Sequence, residues 1–162
     1  MKEYSEHVKA VVYSDDSELS NTEKNLLRKA EEAASVAYAP YSKFRVGAAA
    51  LLANGEIVLG SNQENVAYPS GLCAERVAIF SAGTLFPDQA VKTMAIIAGS
   101  EEFELEDVIT PCGACRQVIM ECQMRHDSPI KLILSSPKKK VVVIEDARVL
   151  LPFAFDASGL RK

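Results

Sequence analysis

Two short stretches of this chain carry residues whose types and spacing can hold a metal ion. GLCAERVAIF, Gly71 to Phe80, holds Cys73 with Glu75 two positions later and Arg76 beside it. TPCGACRQV, Thr110 to Val118, holds Cys112 and Cys115 behind a proline, with Arg116 next. Cys73 and Cys112 each precede a predicted helix, and Cys115 falls in the first turn of the second one. Helix N-termini carry partial positive charge and unpaired N–H groups, which favour the thiolate. Thiolate is the form that binds zinc. Three thiolates from two helix starts give a tetrahedral site with one position open to water, the pattern of catalytic rather than structural zinc. Glu75 lies in the first helical turn after a ligand, placed to take a proton from water and pass it to a leaving group. Three thiolates on one Zn²⁺ leave a net negative centre. Arg76 and Arg116 are the candidates to offset it, by donating hydrogen bonds to sulfur. Cys122, about two turns further along the same helix, is too distant to join them and reads as a buried small hydrophobe. His7 and His126 are poorly placed and read as surface residues.

Helices and strands must position these groups. Ser20-Asn21-Thr22-Glu23 is a capping box. A helix follows with Leu26, Leu27, Ala30, Ala33, Ala34 and Ala37 on one face and stops before Pro40. FRVGAAALL and EIVLGSN read as two strands joined at Asn54-Gly55, a hairpin signal. A helix is predicted over Ala74 to Leu85, a buried strand over Thr93 to Ala98, and a helix from Gly113 to about Arg125. Strands at Ile130 to Leu134 and Val141 to Ile144 follow, then a short helix opening at Glu145-Asp146 and an irregular tail. This order predicts an α/β fold, a mixed sheet with helices over its faces. Residues 1–19 read as a loosely attached polar extension and residues 20–162 as one catalytic domain.

Composition limits the function classes. The 162 residues are 48% apolar and 25% charged with a net charge of -4. That describes an ordinary globular chain with no basic field to hold a polyanion. Lys138-Lys139-Lys140 reads as a solvated turn. The N-terminus lacks the apolar segment of a signal peptide, and no apolar run approaches the ~20 residues of a membrane span. The expected location is the cytoplasm, where thiols stay reduced and serve metal binding or catalysis.

Cys73-Ala74-Glu75 with Pro111-Cys112-Gly113-Ala114-Cys115 matches the known zinc deaminase pattern. With YAPYSKFRVGAAAL (Tyr38 to Leu51), NQENVAYPSGLCAER (Asn62 to Arg76) and LLPFAF (Leu150 to Phe155), the chain resembles the small, three-cysteine form of the cytidine deaminase family over roughly residues 22–160. The resemblance implies a three-layer α-β-α sandwich on a mixed five-stranded sheet. It implies one zinc per subunit on Cys73, Cys112 and Cys115, with Glu75 as proton shuttle. Asn62 and Glu64 match the pair that holds the ribose 3′-hydroxyl. Phe44 matches an aromatic beside the pyrimidine, Ala74 a backbone contact to the base, and Phe155 a phenylalanine that reaches a neighbouring subunit's site. It also implies a homotetramer with shared active sites, and hydrolytic deamination of cytidine and deoxycytidine in pyrimidine salvage, a zinc-activated water attacking C4. Gln63 departs from the Ile or Val common in this family, and Phe153 replaces a small residue of the ending.

The expected partner is a small-molecule nucleoside, with neither nucleic acid nor a membrane involved. Nucleotide deaminases need a cationic phosphate pocket that the chain does not display. Blasticidin deaminases share the cysteine ligands and are the nearest rival; Asn62, Glu64 and Phe44 favour a nucleoside. A structural zinc module would need a fourth protein ligand. A dithiol redox protein built on Cys112 and Cys115 would form a reversible disulfide and bind no metal.

Overall fold

A computed structural model of the chain describes residues 3, 5, 7–156 and 159. Its elements run in the order β1 (Val11–Tyr13), α1 (Asn21–Ser35), β2 (Phe44–Leu52), β3 (Ile57–Ser61), α2 (Ala74–Leu85), β4 (Val91–Ser100), α3 (Gly113–His126), β5 (Lys131–Ser135) and β6 (Val141–Ile144). Short 3-10 turns occupy Tyr68–Ser70 and Ala147–Leu150.

Local signals in the sequence set most of these boundaries. The Ser20 hydroxyl accepts from the Glu23 amide while Glu23 reaches back to the Ser20 amide, so two orphan donors at the start of α1 are satisfied reciprocally. Gly55 turns the β2–β3 hairpin with φ +89°, a conformation glycine adopts without steric cost. Asp146 accepts from the Arg148 amide and caps the short helical turn expected to open at Glu145-Asp146, which forms as a 3-10 turn over Ala147–Leu150.

Among the described residues the sheet order is β1-β6-β5-β4-β2-β3, and of its strand pairs only β4–β5 is parallel. Helix α3 makes the crossover that a parallel pair requires. The sheet has six strands where five were expected. The sixth is β1, supplied by the polar extension: Val11, Val12 and Tyr13 pair with Val143, Val142 and Val141. A three-residue β-branched and aromatic run has little signal of its own; it forms because β6 offers an open edge, and Tyr13 packs on the core.

Alternation along the strands divides the core into two layers. Val46, Ala48, Ala50 and Leu52 of β2, Met94 and Ile96 of β4, and Leu132 and Leu134 of β5 face α2 and α3. Ala49, Ala95, Ile133, Val141 and Val143 face α1 through Leu26, Leu27 and Ala30. The result is the expected three-layer α-β-α sandwich. Helix α2 lies very close to the sheet. A Cβ at Gly60 would stand 2.3 Å from the Ala74 carbonyl oxygen and 2.5 Å from the Ala78 nitrogen. Small residues at these crossing points seat the start of α2 against β3. At the far end of α3, the buried Gln123 bridges Asp146 Oδ1 at 2.7 Å and the Ile130 amide at 3.1 Å, which ties the helix to the strand that follows it.

Candidate functional site

Helices α2 and α3 start side by side on one face of the sheet. Their N-cap residues are Cys73 and Cys112. Cys115, in the first turn of α3, is fully buried behind them. The Cys73 and Cys112 sulfurs are 4.0 Å apart, and those of Cys112 and Cys115 are 3.5 Å apart. All three lie within 4.8 Å of one another, and among the described residues no fourth His, Cys, Asp or Glu joins the cluster. With Zn–S bonds near 2.3 Å, two thiolates of a tetrahedral zinc centre stand about 3.8 Å apart. The three sulfurs therefore fit one zinc ion, with one coordination position left to a non-protein ligand. Cys122 is buried elsewhere on α3, where burial raises its thiol pKa. Its place matches the small-hydrophobe reading. His126 is the last residue of α3 and His7 is exposed on the extension.

The charges around the thiols are organised for anions. A hydrogen bond from Cys115, with Arg76 and Cys112 adding to it against the cost of burial, lowers the Cys73 pKa to about 5. The same contact pushes the Cys115 thiol up, since it donates to Cys73 and is itself buried. Arg76 Nη2 lies 3.9 Å from Cys73 Sγ and 3.3 Å from the Gly71 carbonyl, while its buried Nε has no partner among the described residues. Arg116 is placed differently from its neighbour. Its guanidinium donates to the Pro111 carbonyl at 2.8 Å, the Leu150 carbonyl at 3.1 Å and Thr110 Oγ1 at 3.2 Å. It braces the chain around the ligand pair and makes no bond to sulfur; three oxygen acceptors saturate its fork better than a thiolate does. Glu75 is 5% exposed. Burial first, and then the Cys73 charge, hold its carboxyl above the usual carboxylate range.

A cavity of about 550 Å³ opens in front of the sulfurs. Its walls include Phe44, Asn62, Glu64, Cys73, Glu75 and Cys112, six of the site residues expected from the sequence. Ala74 is fully buried beneath them at the first position of α2. Glu64 accepts from the Tyr41 amide at 2.8 Å, the Ser42 amide at 3.3 Å and the Ser42 hydroxyl. The Ser42 hydroxyl is the largest cause holding this carboxyl below the ordinary glutamate range. Asn62 accepts from the Val46 amide at 2.8 Å and donates to the Phe44 carbonyl at 2.9 Å. It closes the end of β2 and fixes Phe44 by the same contacts. Gln63, the departure noted beside it, points its amide at Ser61 and pairs through its backbone with Leu72.

Phe155 stands apart from this cavity. The residue is 74% exposed, and its backbone is held at both ends by Gln117, N–H to Oε1 at 3.1 Å and carbonyl to Nε2 at 2.9 Å. Phe153 has φ +59°, the left-handed region that a bulky residue adopts at a cost of about 1–2 kcal/mol. The small residue it replaces in the resembling proteins would enter that region more easily.

Sequence reasoning missed the clamp on Glu64. Ser42 lies 22 residues from Glu64, so no helical or strand period links them; Ser42 offers only the short hydroxyl of a turn residue. Gln117 was equally hidden, because its partner is 38 residues away.

Residues 20–127 match the family described as "Cytidine and deoxycytidylate deaminase zinc-binding region". The chain is 36% identical over 135 residues to a cytidine deaminase of Halalkalibacterium halodurans, covering 83% of this chain and 95% of that protein. It is 39% identical over 111 residues to a cytidine deaminase of Mycobacterium tuberculosis, covering 66% of this chain and 79% of that one. In structure it is similar to the crystallographic cytidine deaminase of Burkholderia pseudomallei, with a TM-score of 0.71 and 37% identity over 82% of this chain and 98% of that one.

Proposed function

The chain belongs to the cytidine and deoxycytidylate deaminase family of zinc enzymes, and on that premise we propose that it deaminates free cytidine and deoxycytidine to uridine and deoxyuridine. The observation that carries this reading is one cavity lined by Cys73 and Cys112 of the thiol cluster, the buried Glu75, and Asn62 and Glu64 together. The first two are suited to hydrolysis at an amidine carbon, and the last two to a sugar with a free hydroxyl.

Cys73, Cys112 and Cys115 hold one zinc ion per subunit. When bound, the ion supplies Lewis acidity, so that water serves as a nucleophile at neutral pH. Glu75 takes the proton that water loses on attacking C4 of the base and delivers it to N3. It then carries the remaining proton, from the C4 hydroxyl, to the exocyclic amine, which leaves as ammonia while the C4 oxygen becomes the uracil carbonyl. A carboxyl in a nearly dry site is suited to both steps, since burial brings its proton affinity closer to neutral pH. Arg76 offsets the excess negative charge of three thiolates. The Ala74 backbone meets the base, and Phe44 packs near it.

Glu64 accepts the ribose 3′-hydroxyl with Asn62 beside it. The three bonds from Tyr41 and Ser42 hold the carboxylate in place before the sugar arrives, so little ordering remains to be done on binding. A nucleotide inside a polynucleotide has no free 3′-hydroxyl to offer. Phe155, exposed and held by Gln117, reaches a neighbouring subunit's site in a homotetramer with shared active sites. The reaction serves pyrimidine salvage in the cytoplasm. Among the described residues no helix is long and apolar enough to cross a membrane.

The test is absorbance of the purified protein with cytidine, deoxycytidine, CMP and blasticidin S in parallel, with zinc measured per chain. Turnover of the two nucleosides with about one zinc per chain is the expected result. Zinc without turnover of either nucleoside would discard the substrate assignment and leave the metal site standing.

A further inference from the structure

Residues 101–112, EEFELEDVITPC, join β4 to α3 and span the distance between two parts of the cavity. The segment leaves β4 at Ser100, the residue paired with Phe44 at the end of the β2–β4 ladder. It finishes on the cavity wall at Ile109 and Thr110 and on the ligand Cys112. Midway, the Phe103 ring lies nearly parallel to that of Phe44, with centroids 6.2 Å apart and planes 7° from parallel. Phe44 lines the cavity, whereas Phe103 is not among its walls and is 47% exposed. An aromatic half in water gains little from burial alone. Among the described residues its aromatic partner is the Phe44 ring, at a separation typical of favourable aromatic pairs.

The segment is held from two sides. Leu105 and Val108 pack on the same hydrophobic cluster as Phe44. Lys138 pairs with Glu104 at 3.3 Å and Glu106 at 2.8 Å, and Lys140 with Asp107 at 2.9 Å, so the 136–140 turn draws in the acidic stretch. Phe44 itself is the first residue of its strand and only half-buried, with no strand neighbour preceding it. A ring in that position needs a second surface to keep one orientation.

We propose that Phe103 is a positioning residue for the base-binding wall, acting through the ring of Phe44. The inference rests on the nucleoside reading above. It assigns the 101–112 segment a part in substrate affinity that its sequence does not announce. Removing the Phe103 ring loosens the wall and weakens ground-state binding, while Glu75 and the sulfurs keep their places.

The experiment is steady-state kinetics of the zinc-loaded enzyme with cytidine for wild type, Phe103→Leu, Phe103→Ala and Phe103→Tyr. Loss of the ring should raise KM about two- to tenfold, the range a ring–ring contact carries. Over the same variants kcat should stay within about twofold and zinc at about one per chain, and tyrosine should restore the wild-type KM. In a Phe44→Leu background, Phe103→Leu should add nothing further. An unmoved KM in active Phe103→Leu would overturn the inference. So would an equal effect with and without Phe44, or a fall in kcat together with zinc. A wild-type enzyme inert toward both nucleosides would instead overturn the substrate reading, and this inference with it.

Discussion

Replacing Gly60 with alanine tests how closely the metal site depends on the seat of α2. The new Cβ would meet the Ala74 carbonyl oxygen at 2.3 Å, the Ala78 nitrogen at 2.5 Å and the Ala78 Cα at 3.0 Å. All three atoms are helix backbone, so no side chain can swing aside. Ordinary contacts between such atoms need about 3.5 Å, and the start of α2 must therefore withdraw from β3 by roughly 1 Å. Overpacking of this kind costs about 1–3 kcal/mol. At about 2–4 °C per kcal/mol for a chain of this size, the melting temperature should fall by about 2–12 °C. The displaced turn carries Cys73 and Glu75, while Cys112 and Cys115 remain on α3. A misplacement of about 1 Å at reacting groups costs on the order of 100-fold in rate. The assay is thermal unfolding, zinc per chain after dialysis, and kcat/KM for cytidine. Gly99→Ala is the control. Its Cβ would find only Pro137 Cγ at 3.7 Å, an ordinary contact, so it should be neutral or slightly stabilising. Gly60→Ala with wild-type melting, zinc content and kcat/KM would refute the argument that the close approach of α2 sets the site.

Glu75→Gln should lower kcat by about 10²–10⁴-fold while leaving zinc at about one per chain; full activity in the zinc-loaded variant would remove Glu75 from the mechanism. Chelation under native conditions should make the Cys73 and Cys112 thiols reactive to a thiol reagent while buried Cys122 stays protected until unfolding, and an unchanged thiol count would argue against cysteine-bound zinc. Burial works against ionisation of Glu23, but its bonds to Lys131 and Ser20 outweigh it and hold the carboxyl below the usual glutamate value of about 4.3. The stability it contributes is therefore complete above that value and lost as pH falls through the lower folded pKa. Thermal melts of wild type and Glu23→Gln should differ at neutral pH and converge in acid, and curves that stay parallel across that range would contradict this.

The parts of the fold that were legible in the sequence are those specified within a few residues. The capping box at Ser20, the Asn54-Gly55 hairpin and the helix starts at Cys73 and Cys112 each depend on neighbours in the chain, and each forms as expected. The thiol cluster was legible for a related reason: two local motifs on helix starts needed only to be brought together by the sheet. What escaped depends on distant partners. Arg116 looked like a sulfur donor because it follows a ligand, but its guanidinium is taken by Pro111, Thr110 and Leu150. Strand β1 escaped because a run of three residues owes its conformation to β6, more than a hundred positions later.

That borrowed strand changes what the folded chain presents to other chains in a crowded solution. Val141 to Ile144 is a run of four β-branched residues with Lys138, Lys139 and Lys140 immediately before it. Left bare, such an edge is a template on which a foreign strand can grow into a fibril or an aggregate. Three residues of the extension occupy it instead. The new edge is only as long as β1, too short to nucleate ordered growth. The leading segment, remote from the chemistry, thus covers most of that edge, and trimming it through Tyr13 should leave β6 bare and raise self-association, which light scattering of the trimmed and full chains would read.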